Sequence, residues 1–147
     1  MINWKTVAIE KLKRYNLQKN SVAIIPDEIA LLESEAVSIK GATSDGTPVK
    51  GGGSRREDRL LDNIVEREEL KRQLERNKIA IRIVDRGLAT LSREDKHILQ
   101  EMYITGEKGC KERLMGELGL SEESSLYKKA NKALWRFTIA LYGSIES

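Results

Sequence analysis

"ELGLSEESSLYKKANKALWRF", Glu117 to Phe137, decides how the chain is read. Gly119 supplies a left-handed residue that stops one helix. Leu120 can plug the corner between two helices and Ser121 can cap the second, so the Gly-Leu-Ser step predicts a tight helix-turn-helix connection. Beyond it, Leu126, Ala130, Ala133, Leu134, Phe137 and Leu141 recur at helical spacing and predict a buried stripe. That stripe leaves Tyr127, Lys128, Asn131, Lys132 and Arg136 on or near the opposite face, with Lys129 beside them.

Such a face has the chemistry of a DNA groove. Lys and Arg neutralise phosphates and release counterions. Asn can make two bonds to adenine, Lys reaches guanine acceptors, and hydroxyls serve bases or backbone. Base-reading side chains cluster near the start of a recognition helix. Ser124, Ser125, Tyr127, Lys128 and Asn131 are therefore the candidates for bases, and Lys129, Lys132 and Arg136 for phosphates. Lys111 and Arg113, on the preceding helix, are further candidates for the DNA backbone. The same charges also fit a solvated helix, because Glu122 and Glu123 at its start and bases toward its end complement any helix dipole.

Upstream, "LSREDKHILQEMYITG", Leu91 to Gly106, predicts a helix capped by Ser92, with Glu94 and Asp95 in its first turn and Ile98, Leu99, Met102 and Tyr103 inward. "CKERLMGELG" predicts a short helix with Leu114, Met115 and Leu118 on one side.

The N-terminal part reads as an arm. Trp4, Ala8, Leu12 and Tyr15 share one face of a short first helix. Val22, Ile25, Ile29, Leu32, Ala36 and Ile39 step by three and four and form the seam of a second, over residues 17–40, where Pro26 predicts a kink or a restart. "KGATSDGTPVKGGGS", Lys40 to Ser54, predicts a loop. It lacks the strand and the closing Gly-Lys-Ser/Thr of a phosphate-binding loop. Ser54 and Glu57 have capping-box spacing, so a third helix is expected from there to Ala89. Its seam runs through Leu70, Leu74, Asn77, Ile81, Val84, Leu88 and Leu91, with Leu60, Leu61, Ile64 and Val65 before it. Asn77 either fixes register from a buried position or faces solvent. The expected architecture is all-α: an antiparallel, coiled-coil-like helical hairpin over residues 1–90 with its loop at 41–54, and a helix-turn-helix domain over 91–147.

Composition limits the alternatives. The 147 residues are 39% apolar and 33% charged, with 26 Lys and Arg against 23 Asp and Glu. A net charge of +3 is too small to argue for nucleic acid by itself. Cys110 is the only cysteine and His97 the only histidine, which excludes an intrachain disulfide and a Cys/His metal site within one chain. No cofactor and no enzyme activity are expected: His97 reads as a surface or partly packed side chain and Cys110 as a structural or incidental thiol. No apolar run approaches the roughly 20 residues that span a bilayer, and charges fill the middle of MINWKTVAIEKLKRYN. A cytoplasmic protein is expected.

Residues 91–137 resemble the region-4 helix-turn-helix of bacterial sigma factors, in "LSREDKHILQEMYI" and in "LMGELGLSEESSLYKKANKAL". With "GGGSRREDRLLDNIVER" and "ALWRFTIALYG", the chain also resembles small phage late transcriptional regulators of the RinA/ArpU kind. Nothing in it matches the sigma region that melts the promoter, and Met115 and Gly116 stand where the family often has a small apolar residue. The resemblance implies a phage or prophage regulator that binds double-stranded DNA in a bacterial host, its arm serving RNA polymerase contact or formation of a homodimer or higher oligomer. In a dimer, two reading helices would address half-sites about 34–36 Å apart. Two other readings stay open: a DNA-packaging recognition subunit of the small-terminase kind, and a protein-only adaptor of RNA polymerase.

Overall fold

A computed structural model describes residues 3–41 and 52–144. It is all-helical, with no strand among the described residues. The elements are α1 (Trp4–Gly41), α2 (Gly52–Ala89), α3 (Arg93–Leu99), which continues as a π-helical turn (Gln100–Thr105), α4 (Cys110–Leu118) and α5 (Glu123–Tyr142). No helix among the described residues is long and apolar enough to cross a membrane. The expected loop lies mostly outside the described residues.

One helix replaces the two expected before residue 41. Asn3 starts it, its side-chain oxygen accepting from the backbone N–H of Lys5 at 3.1 Å and of Thr6 at 3.3 Å. The junction expected between those two, before residue 17, is helical too, and a tertiary contact is made there. Asn16 Nδ2 donates to the Ile104 carbonyl at 3.2 Å. Pro26 lies inside the helix with its ring exposed, where water can satisfy the carbonyl one turn back that loses its donor. A second difference concerns α2, which begins at Gly52, so Ser54 stands within its first turn rather than before it.

By contacts the chain forms two compact units, residues 20–78 and residues 1–19 with 79–147. In the smaller, Asn63 Nδ2 donates to the Leu32 carbonyl at 2.8 Å and Arg56 Nη2 to the Lys40 carbonyl at 2.9 Å. These pairings make the α1 and α2 segments run side by side in opposite directions. Ile25, Ala36 and Ile39 are buried as the seam requires, together with Asn63 and Asn77. Asn63 also accepts from Arg67 Nε at 2.8 Å, and Asn77 Oδ1 accepts from Gln73 at 3.2 Å. Of these amide bonds only that of Asn63 to the Leu32 carbonyl crosses to α1; the partner of Asn77 lies four residues back on α2 itself.

The larger unit holds the main core: Ala8, Leu12, Val84, Leu88, Leu99, Ile104, Ala133, Leu134 and Phe137. A second cluster of Ile98, Leu114, Leu126 and Ala130 ties α3 and α4 to α5, with Met115, Leu118 and Leu120 against it. Segments at both ends of the expected arm thus help build the seat of α5. One of their links is a hydrogen bond from the Tyr15 hydroxyl to the Asp85 carboxylate.

Burial first, and then that hydrogen bond and the charge of Asp85, push Tyr15 from 10.0 up to about 12. Because the folded value lies above the unfolded one, this contribution is complete below pH 10 and disappears as pH climbs through 12. Tyr15→Phe keeps the ring and should cost about 1 kcal/mol at neutral pH, the pair being largely solvated. Urea unfolding at a series of pH values should show the gap between wild type and Tyr15→Phe closing between pH 10 and 12.

Candidate nucleic-acid interface

The site is built from the connection between α4 and α5. Gly119 ends α4 at φ 67°, ψ 31°, a left-handed conformation that side chains with a Cβ rarely adopt. The Leu120 N–H donates to the Met115 carbonyl at 2.8 Å, and the Gly119 N–H to the Gly116 carbonyl at 3.4 Å. Those two bonds make a Schellman motif, whose expected apolar contact is supplied by Met115 and Leu120, both against the second core cluster. Ser121, expected to cap α5, does not: the cap is Glu122, in extended conformation and without a side-chain cap bond. One residue more of linker is used than the Gly-Leu-Ser reading allowed.

Farther upstream the capping expectation holds. Ser92 Oγ accepts from the Asp95 N–H at 3.2 Å, and Gly106 closes the π-helical turn at φ 59°. Leu126, Ala130, Ala133, Leu134 and Phe137 are all fully buried, so the orientation of α5 is fixed by its apolar stripe. Thr138, which the apolar pattern passed over, is buried too and donates to the Leu134 carbonyl at 2.8 Å.

The ten candidate residues separate into groups. Lys128 and Lys132 are exposed, one turn apart on the outward face, and neither has an ion pair among the described residues. Four other cations are held by acids. Lys111 Nζ lies 3.4 Å from Glu123, Arg113 Nη2 3.5 Å from both Glu101 and Glu107, Lys129 Nζ 3.3 Å from Glu94, and Arg136 Nη1 2.7 Å from Asp95. Ser124 is turned onto Glu122, donating to its carboxylate at 3.3 Å. Ser125 is half-buried. The Asn131 side-chain oxygen is buried without a hydrogen-bond partner, so it does not face outward as an adenine reader would.

Tyr127 is half-exposed and carries Lys111 Nζ over its ring, 5.0 Å from the centroid. The Lys111 ammonium is pushed up, first by its hydrogen bond with Tyr127 and then by Glu123. Burial pushes the nearby Tyr103 hydroxyl up, with Tyr127 adding to this and Lys111 opposing it. Lys111 therefore clamps α4 to the first turn of α5.

These pairings also change the local electrostatics. Glu123 and Glu94, which alone would repel a phosphate, are each matched by a lysine. Glu117 lies 2.7 Å from His97 Nε2. Glu122 keeps its negative charge, its carboxylate meeting only the Ser124 hydroxyl, while on the outward face of α5 Lys128 and Lys132 carry positive charge that no acid matches among the described residues. Sequence reasoning could not see this, because the partners lie up to 41 residues apart. Trp135, which with Tyr127 marks the side that the protein-adaptor reading uses, is 45% exposed, three residues after Lys132 and on the same face. Its ring meets that of Trp4 edge-on, with centroids 5.6 Å apart. Spacing places Trp135 there; the Trp4 contact needed the fold. Comparison with protein-family models, curated proteins and solved structures finds no match to this chain.

Arg136 has a second job. Asp95 is 6% exposed, and Arg136 is the one cation on its carboxylate among the described residues. Arg136→Ala leaves that charge buried and unpaired. A loss of about 2–3 kcal/mol is expected, less than for a wholly buried pair because the arginine side chain is 56% exposed. Urea midpoints for Arg136→Ala and Arg136→Lys should rank wild type first, lysine second and alanine last.

Proposed function

We propose that this chain is a phage or prophage DNA-binding transcriptional regulator. In this reading α4 and α5 form a helix-turn-helix of the sigma region-4 kind, and α1 and α2 form a helical hairpin arm that contacts RNA polymerase. The outward face of α5 enters the major groove. Lys128 near its start reaches guanine acceptors or a phosphate, Lys132 one turn on meets the backbone, and Arg136 keeps donors for a phosphate beyond the one spent on Asp95. Lys111 and Lys129 hold the frame and neutralise the acids beside it.

The observation that carries this reading is the pair of unpaired, exposed lysines on the face of α5 that its buried stripe turns outward. A surface lysine normally gains little from a neighbouring acid. Here four neighbouring cations have acids and these two do not, which concentrates charge where a polyanion would lie.

Incubating the purified protein with a pool of random duplexes and sequencing what it retains tests the reading. Retention of a sequence-biased set at moderate salt, lost as salt rises, is the expected result. Failure to retain any duplex at low salt would remove it.

A further inference from the structure

From Ser124 to Ser144 the chain has four cations, Lys128, Lys129, Lys132 and Arg136, and no carboxylate. The start of α1 is of the same kind. Between Asn3 and Ile9 its one charged side chain is Lys5, which has no ion pair among the described residues, and the next acid along, Glu10, is matched by Arg14 at 3.2 Å. These two acid-free segments touch. The Trp4 and Trp135 rings meet edge-on at 83°, with centroids 5.6 Å apart. Glu122, the acid without a cation at the start of α5, stands about 20 Å of helix axis away from Trp135.

Trp135 is not used by the core. Leu134 and Phe137 on either side of it are fully buried, while its own ring stays 45% exposed, a disfavoured place for so large an apolar surface. Positions 128, 132 and 135 of a helix fall within about 60° of one another, so the indole continues the line of Lys128 and Lys132. Trp4, half-buried against the main core, holds that ring, which therefore loses little freedom on binding. Lysine is depleted at the centre of protein interfaces. An ordered aromatic ring in line with two unmatched lysines, on segments without acids, suits a polyanion better.

We propose that Trp135 is a further DNA contact of α5, made to the sugar-phosphate backbone rather than to a base, with Trp4 as the residue that positions it. This rests on the reading of α5 as a major-groove helix. At about 1.5 Å per residue, Trp135 lies about 10 Å along the axis from Lys128, and the major groove is about 12 Å wide. With Lys128 over the base edges, the indole comes to the rim of the groove. There its N–H donates to a phosphate oxygen, and its ring covers deoxyribose carbons and leaves water. The indole carries no charge and displaces no counterion, so it adds affinity that salt does not remove.

A backbone contact does not depend on sequence, so the random duplex pool serves as probe, bound by the full chain in a salt series. Far-UV circular dichroism and urea midpoints verify the fold of each variant. Trp135→Ala should weaken binding about tenfold and leave the slope of log affinity against log salt unchanged, in contrast to Lys128→Ala/Lys132→Ala. Trp135→Phe keeps a ring against Trp4 but loses the N–H, and should weaken binding about threefold. Trp4→Ala should weaken it by a similar factor at an unchanged slope, and Trp4→Phe should recover it. In Trp4→Phe, where Trp135 is the one tryptophan, duplex should shield the indole emission from acrylamide. Wild-type affinity in Trp135→Ala, a shallower salt slope, a Trp4→Ala that binds as wild type, or an indole equally open to acrylamide with and without duplex would each overturn the proposal and leave the lysine face in place. Unchanged duplex binding by Trp135→Ala together with lost binding to purified bacterial RNA polymerase would give the ring to a protein instead. A wild type that retains no duplex would remove the reading of α5 and this contact with it.

Discussion

Phe137→Ala is expected to lower stability by about 3–5 kcal/mol, the largest effect of any single change in the larger unit. The ring is fully buried in a cluster that draws on α1, α2, α3 and α5. Its fit on α2 is close enough to dictate a glycine: a Cβ built on Gly87 would lie 2.6 Å from Phe137 Cε2 and 2.9 Å from Leu141 Cδ2. Glycine inside a helix is normally disfavoured by about 1 kcal/mol relative to alanine. Gly87→Ala should nonetheless destabilise by about 1–2 kcal/mol, because overpacking outweighs the helix gain. Shrinking the ring should relieve the overlap, so Gly87→Ala should cost less in a Phe137→Leu background than in wild type. Urea unfolding of the four proteins in that cycle checks it. A stabilising Gly87→Ala would mean that the two helices are not packed this closely.

Lys128→Ala/Lys132→Ala should cut duplex affinity by roughly a hundredfold at low salt, about 3 kcal/mol for two charge-assisted contacts. The slope of log affinity against log salt should become shallower by about 2. Stability should change by no more than about 0.5 kcal/mol, because neither lysine is buried or paired. Lys129→Ala and Arg113→Ala should weaken binding less, their ammonium and guanidinium groups being shared with Glu94, Glu101 and Glu107. Binding in a salt series and urea unfolding of the same proteins separate contact from fold. A double variant that keeps the wild-type affinity and slope would take this face out of the interface.

The legible parts of the fold are those that a single helix determines. Seam spacing located Ile25, Ala36 and Ile39, and the stripe of α5 located the core from Leu126 to Phe137. Gly119 was legible because a positive φ before Leu120 has few other occupants. What escaped depends on partners far along the chain. The separate helix expected from residue 17 is one with the first, and beside that junction the Asn16 amide lies on the Ile104 carbonyl. The need for glycine at position 87 shows only once Phe137 is placed beside it. Within the candidate interface, periodicity put Lys128 and Lys132 on the outward face, where they are exposed, but it put Asn131 there too, whose side-chain oxygen is buried. It could not separate cations with acids to hold from those without, since that depends on how α3 and α4 meet α5.

The most direct test of the central claim, that the Lys128 and Lys132 side of α5 is the surface that meets DNA, is a backbone amide NMR titration of the full chain with a duplex it retains. The largest shifts are predicted from Ser124 to Lys132, with small ones over residues 20–78. Shifts that leave Ser124 to Lys132 unmoved while another surface responds would contradict it.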